Sequence, residues 1–104
     1  MAQFDVHRNP SEATRGLIPY VLVVQSDALV DASRRVVIPL ARRDEIRTRV
    51  ETLNPAFVID GIACVAMPLD IASIPVAALG EVVANLADRS DQIIRAIDEL
   101  VARH

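Results

Sequence analysis

The sequence predicts a mainly β chain that ends in an α-helix. Three features point there: short β-branched apolar runs between turn residues, an Asp60-Gly61 pair joining two such runs, and helical spacing of apolar residues after Pro75. With 104 residues there is room for one core, so 1–104 is read as a single domain.

The elements follow in order. Gln3 to Arg8 alternates apolar Phe4 and Val6 with polar Gln3, Asp5 and His7, the period-two pattern of a half-buried strand. Asn9-Pro10-Ser11-Glu12 breaks it. Ile18 to Gln25, with Tyr20, Val21, Val23 and Val24, is dense enough for a strand buried on both faces, and Pro19 belongs at its start, where a missing N–H does least harm. Val36 to Leu40 is a third strand, with Pro39 expected near its end or on an edge. From Ala41 to Asn54 the charged stretch around Ile46, Val50 and Leu53 suits a short helix or an exposed strand-like arm, and the choice stays open. Asn54-Pro55 marks a turn, and Phe57-Val58-Ile59, Asp60-Gly61 and Ile62 to Met67 form a hairpin, since a type I′ turn needs positive φ at both central residues. Beyond Pro75, Leu79, Val82, Val83, Leu86, Ile93, Ile97, Leu100 and Val101 recur at helical spacing. Asp91, Arg95, Glu99 and Arg103 form an i, i+4 charge ladder on the other side, and Asp88-Arg89-Ser90-Asp91 offers an N-cap, so the helix is either continuous or in two pieces with a break near Ser90.

Composition limits the partners. Apolar residues make up 52% of the chain and mean hydropathy is +0.32, which leaves apolar surface over; a two-fold homodimer is the expected way to cover it. Acidic residues outnumber basic ones by 14 to 11, giving a net charge of −3, so direct nucleic-acid binding is not expected. Phe4, Tyr20 and Phe57 are the only aromatics, too few for a base-stacking platform. No apolar run is long enough to span a membrane and the start lacks signal-peptide character, so a cytoplasmic protein is expected. The lone Cys64, inside Ile62-Ala63-Cys64-Val65-Ala66, reads as a small core residue.

Catalytic patterns are missing. Gly16, Gly61 and Gly80 are too scattered for a phosphate loop, and His7 and His104 lack metal-ligand spacing, so neither cofactor nor metal is expected. Ser11, Ser26, Ser33, Ser73 and Ser90 carry no nucleophile motif. Arg34 and Arg35 have the right chemistry for phosphate or carboxylate, but on a strand they face opposite sides, which favours one salt bridge and one solvated side chain.

Four segments resemble the CcdB toxin family in order and spacing. They are Gln3-Phe4, Val24-Gln25-Ser26-Asp27, Arg34 to Ala41, and Asp70 to Val76 followed by Gly80-Glu81. The resemblance spans nearly the whole chain. It implies an SH3-like β-barrel of the kind shared with the MazF and Kid toxins, with a small extra sheet and a C-terminal helix whose end lies near a dimer axis. It further implies the toxin of a type II toxin–antitoxin system, serving plasmid or chromosomal maintenance, that binds the A subunit of DNA gyrase and is removed by the flexible tail of a CcdA-like antitoxin. Such a toxin is a binding protein and not an enzyme.

Carried over residue by residue, Gln3, Phe4 and Val24 match the antitoxin groove. The family's gyrase-gripping Phe-Trp-Gly-Ile terminus falls on Val101, Ala102, Arg103 and His104, its adjacent isoleucines fall on Ala28 and Leu29, and an asparagine falls on Asp98. None of these is kept. The alternatives are therefore a CcdB-fold dimer that binds an antitoxin but is non-toxic or acts on another target, and, on the same barrel, a MazF-like ribonuclease with Arg34 and Arg35 as phosphate contacts.

Overall fold

The computed structural model describes residues 2–29 and 32–101. Among these, seven strands precede one α-helix: β1 (Asp5–Arg8), β2 (Tyr20–Val23), β3 (Arg34–Arg42), β4 (Ala56–Ile59), β5 (Ile62–Ala66), β6 (Ala72–Pro75), β7 (Val82–Asn85) and α1 (Ser90–Val101). All pairings are antiparallel, in the order β4-β5-β3-β2-β1-β7, with β6 added to β3. The sheet curls into a half-barrel, mainly β with a C-terminal helix, as the sequence leads one to expect.

Alternation along β2 divides the interior. Tyr20 and Leu22 enter the main core with Val6, Ile38, Leu40, Phe57, Ile59 and Ile93 of α1. Val21 and Val23 point the other way and join Val37 under Ile74 and Leu79. A strand buried on both faces carries apolar residues at every position, which is why Tyr20–Val23 reads as one unbroken run. The hairpin forms as its residues dictate: Asp60 and Gly61 take φ of 51° and 80°, and Ile59 pairs with Ile62.

Four expectations are corrected. Pro39 lies inside β3, opposite Val21, and not at its end. Its carbonyl accepts Met67 N–H at 3.0 Å and so faces away from β2, as its ring nitrogen does, into the junction where β3 passes from β6 (at Arg34–Val37) to β5 (at Leu40–Arg42); the missing N–H costs no ladder bond there. His7 is buried, since β1 has a covered second face and His7 stands opposite Val21 of the second cluster. Of the charged stretch only Ala41 and Arg42 are strand, at the end of β3; after a 3-10 turn at Arg43–Glu45 the rest runs irregularly to Asn54, and Val50 is exposed, so no apolar stripe faces a core.

The fourth correction concerns residues 79–89. Val82–Asn85 is a strand paired with β1, and only Ser90–Val101 is α-helical. Val82 and Val83 suit the free edge that β1 offers, and Asn85 Oδ1 accepts the Ala87 N–H at 2.8 Å to start the 3-10 turn leading into α1. The charge-ladder residues Asp91, Arg95 and Glu99 are exposed on α1, but Arg8–Glu81, at 3.0 Å, is the only ion pair among the described residues. Arg103 lies outside them.

Gly80 fixes where β7 begins. A Cβ there would sit 2.8 Å from the Arg8 carbonyl oxygen, and the Gly80 carbonyl itself accepts from His7 Nδ1 at 2.8 Å. Gly80→Ala is therefore expected to cost about 1–3 kcal/mol, because backbone must move to admit the methyl group. Thermal denaturation measures it, and an unchanged midpoint would show that the β1–β7 contact is looser than this.

Candidate functional site

The residues matched to the antitoxin groove come together at the N-terminal end of β1. Gln3 N–H donates to Asp27 Oδ1 at 2.8 Å, and Gln3 Nε2 donates to the Val24 carbonyl at 3.2 Å. Phe4 follows with φ of 69°, a left-handed conformation unusual for an aromatic residue. Its backbone is fixed on both sides, donating to Val23 O at 2.7 Å and accepting from Leu86 N–H at 2.9 Å. The side chain goes inward, into the main core, while Val24 packs partly buried at its margin. Phe4 is thus a core anchor, and Gln3 and Val24 carry the accessible part of the group.

Gln25, Ser26 and Asp27 are the brackets of this region, a role the sequence pattern did not reveal. Gln25 Oε1 accepts the Val36 N–H of β3 at 3.0 Å, and Ser26 Oγ accepts Ala28 N–H at 3.1 Å. Asp27 opens the 3-10 turn Asp27–Leu29, so the carboxylate that holds Gln3 also places Ala28 and Leu29, both exposed. Asp98 and Val101 stand exposed on the last turns of α1, with Val101 at 68%. Ala102, Arg103 and His104 lie outside the described residues. Gln3, Phe4 and Val24 are joined to the turn carrying Ala28 and Leu29 through Asp27, whereas no hydrogen bond among the described residues joins either to Asp98 or Val101.

Arg34 and Arg35 do face opposite sides, but both are used within the fold. Arg34 donates from Nε to Ser73 Oγ at 2.7 Å and from its terminal nitrogen to Ser73 O at 2.8 Å, tying β3 to β6. Arg35 is buried and donates to the carbonyls of Ala32 and Arg34. Neither offers a free guanidinium fork for a phosphate, which removes the residues on which a ribonuclease reading rested. Among the described residues no group of three or more His, Cys, Asp and Glu side chains is placed to hold a metal ion.

Cys64 is a core residue, as its setting suggests. Burial pushes its thiol up to about 11, against a partial opposing pull from Arg42. A thiol held protonated is inert, so native protein is expected to resist a disulfide reagent at pH 8 and to react once per chain when unfolded. The same shift lowers stability as pH rises from about 9 through 11, because the unfolded chain gives up this proton first. Rapid labelling of the native chain would contradict the burial.

The family model for CcdB protein matches residues 3–102. The chain belongs to the CcdB family. Membership makes it the toxin of a toxin–antitoxin system, with an antitoxin as its kind of partner. The half-barrel and C-terminal helix are consistent with the CcdB fold. No helix of the described residues is long and apolar enough to cross a membrane.

Proposed function

We propose that this CcdB-family chain acts by binding and not by catalysis: a homodimeric toxin, neutralised by the flexible C-terminal segment of a CcdA-like antitoxin, that does not poison DNA gyrase through the family's aromatic terminus. The observation that carries the target reading is the chemistry at the gyrase-facing positions. Among the described residues these present Ala28, Leu29, Asp98 and Val101, all exposed, where the family resemblance calls for two isoleucines, an asparagine and a phenylalanine. Antitoxin recognition falls to Gln3 and Val24, whose hydrogen-bonded frame is intact.

Dimerisation is supported by apolar surface on α1. Ile94 and Val101 are seven residues apart, hence on one face, and are 48% and 68% exposed. α1 packs against the 3-10 turn Pro68–Asp70, whose Leu69 is 71% exposed. Exposed apolar side chains on these two packed elements are the kind of surface a second copy would cover. Sedimentation at micromolar concentration is expected to give a dimer and Ile94→Glu a monomer; a native species near 11.3 kDa would contradict the reading.

Expression in bacteria tests the function as a whole. Growth is expected to stop and to resume when the cognate antitoxin is co-expressed. Gln3→Ala is expected to weaken the toxin–antitoxin complex by about tenfold, the order of one lost charged or well-placed hydrogen bond, while the loss of its own bond to Val24 lowers the melting point by only a few degrees. Unchanged affinity would remove Gln3 from the site.

A further inference from the structure

We propose that the free edge of β4, with the arginines beside it, is a docking groove for an extended acidic peptide segment that adds as a strand to the sheet. β4 ends the strand order, so one side of it pairs with β5 and the other is open. The two-residue turn sets the register: Ile59 and Phe57 exchange backbone bonds with β5, which leaves the N–H and C=O groups of Ala56 and Val58 pointing to the open side. No backbone hydrogen bond to either residue occurs on that side among the described residues.

Two contiguous cavities of about 310 and 370 Å³ run along this edge, sharing Ala56 and Arg89 as walls. Arg49 and Arg95 stand in the first and Arg43 in the second, so four of the chain's 11 basic residues meet here although its net charge is −3. None of the four makes an ion pair among the described residues. Two are held in place by other contacts: Arg49 Nε donates to Asn54 O at 2.7 Å, and Arg89 donates to Gln92 Oε1 at 2.9 Å while its guanidinium lies 5.1 Å from the centre of the Phe57 ring. Asn54, buried, fixes the segment by accepting Val50 N–H and donating to Ala66 O. Glu51 is the one acid lining either cavity.

The chemistry selects the occupant. An open strand edge offers main-chain donors and acceptors at peptide spacing, Val58 at 71% exposed offers an apolar contact, and spaced guanidiniums offer carboxylate partners. A second copy of this chain would bring its own arginines against these four, which opposes edge-to-edge pairing of like strands. The groove does not depend on the antitoxin reading of Gln3 and Val24: β5, β3 and β2 separate β4 from β1 in the strand order.

A labelled synthetic peptide alternating glutamate and valine, titrated into the full chain by fluorescence anisotropy, tests the groove. Binding is expected, weakening at least ~10-fold when glutamine replaces glutamate and by a similar factor in Arg95→Gln, a side chain without hydrogen-bond or ion-pair partners among the described residues. Gln3→Ala is expected to leave it unchanged. In amide NMR spectra the peptide is expected to shift and protect Ala56 and Val58, a readout that needs no variant, and Val58→Pro is expected to abolish binding with the melting transition retained. Equal binding of the glutamine peptide, indifference to Arg95→Gln, unmoved amides at Ala56 and Val58, or equally tight binding of single-stranded DNA would each overturn the proposal.

Discussion

Phe4→Ala is expected to destabilise the fold by about 3–5 kcal/mol, before any effect on a partner is counted. Phe4 is 7% exposed and packs in the main core with residues from β1, β2 and the approach to α1. Its backbone joins Val23 on one side and Leu86 on the other, so the N-terminal segment is positioned by the same residue that fills the core. Alanine would keep those two hydrogen bonds and the unfavourable φ while losing the ring that offsets the strain. For a domain of this size the loss corresponds to a fall in Tm of roughly 12 °C or more. Calorimetry with and without antitoxin separates stability from recognition, and an unchanged Tm would place Phe4 outside the core.

The second large effect is a gain. Val101→Phe combined with Ala102→Trp is expected to raise affinity for the gyrase A subunit by about thirtyfold or more, the worth of roughly 2 kcal/mol for an aromatic anchor at the centre of an interface. Val101 is already exposed at the end of α1, so added area there goes to a partner and not to this chain's core. Ala102 is too small to supply that area, and Arg103 adds a fixed cation where the family resemblance calls for a glycine. Surface-immobilised gyrase A subunit reads the change. Equal binding by the native and substituted chains would show that the grip does not pass through this terminus.

What could be read in the sequence, and what could not, follows from the range of the forces involved. The hairpin was legible because Asp60-Gly61 satisfies a purely local demand for positive φ. β2 was legible because burial on both faces leaves no polar position in Tyr20–Val23. The stretch Leu79 to Leu86 misled because apolar spacings of three and four fit a helix, while the open edge of β1, at the far end of the chain, decides for a strand. His7 was misread for the same reason: its burial is set by β2 and by Gly80, not by its neighbours in the chain. Arg34 and Arg35 read as one salt bridge and one solvated side chain, whereas hydrogen bonds to Ser73 of β6 and to the Ala32 carbonyl hold them, partners that the local sequence does not reveal. At the site, the link between Gln3 and Val24 was accessible only through family resemblance, because the bond that makes it joins residues far apart in sequence. The arginine groove had no sequence signal at all, since Arg43, Arg49, Arg89 and Arg95 converge only when β4 and α1 are in place.

Incubating the purified chain with gyrase and supercoiled plasmid DNA, then denaturing and counting cleaved DNA, bears directly on whether a CcdB-family chain with this terminus still poisons gyrase. At micromolar protein, supercoiling is expected to proceed unaffected and no cleaved-DNA complex to accumulate. Cleaved DNA at nanomolar protein would contradict that expectation and would move the grip to the exposed turn carrying Ala28 and Leu29.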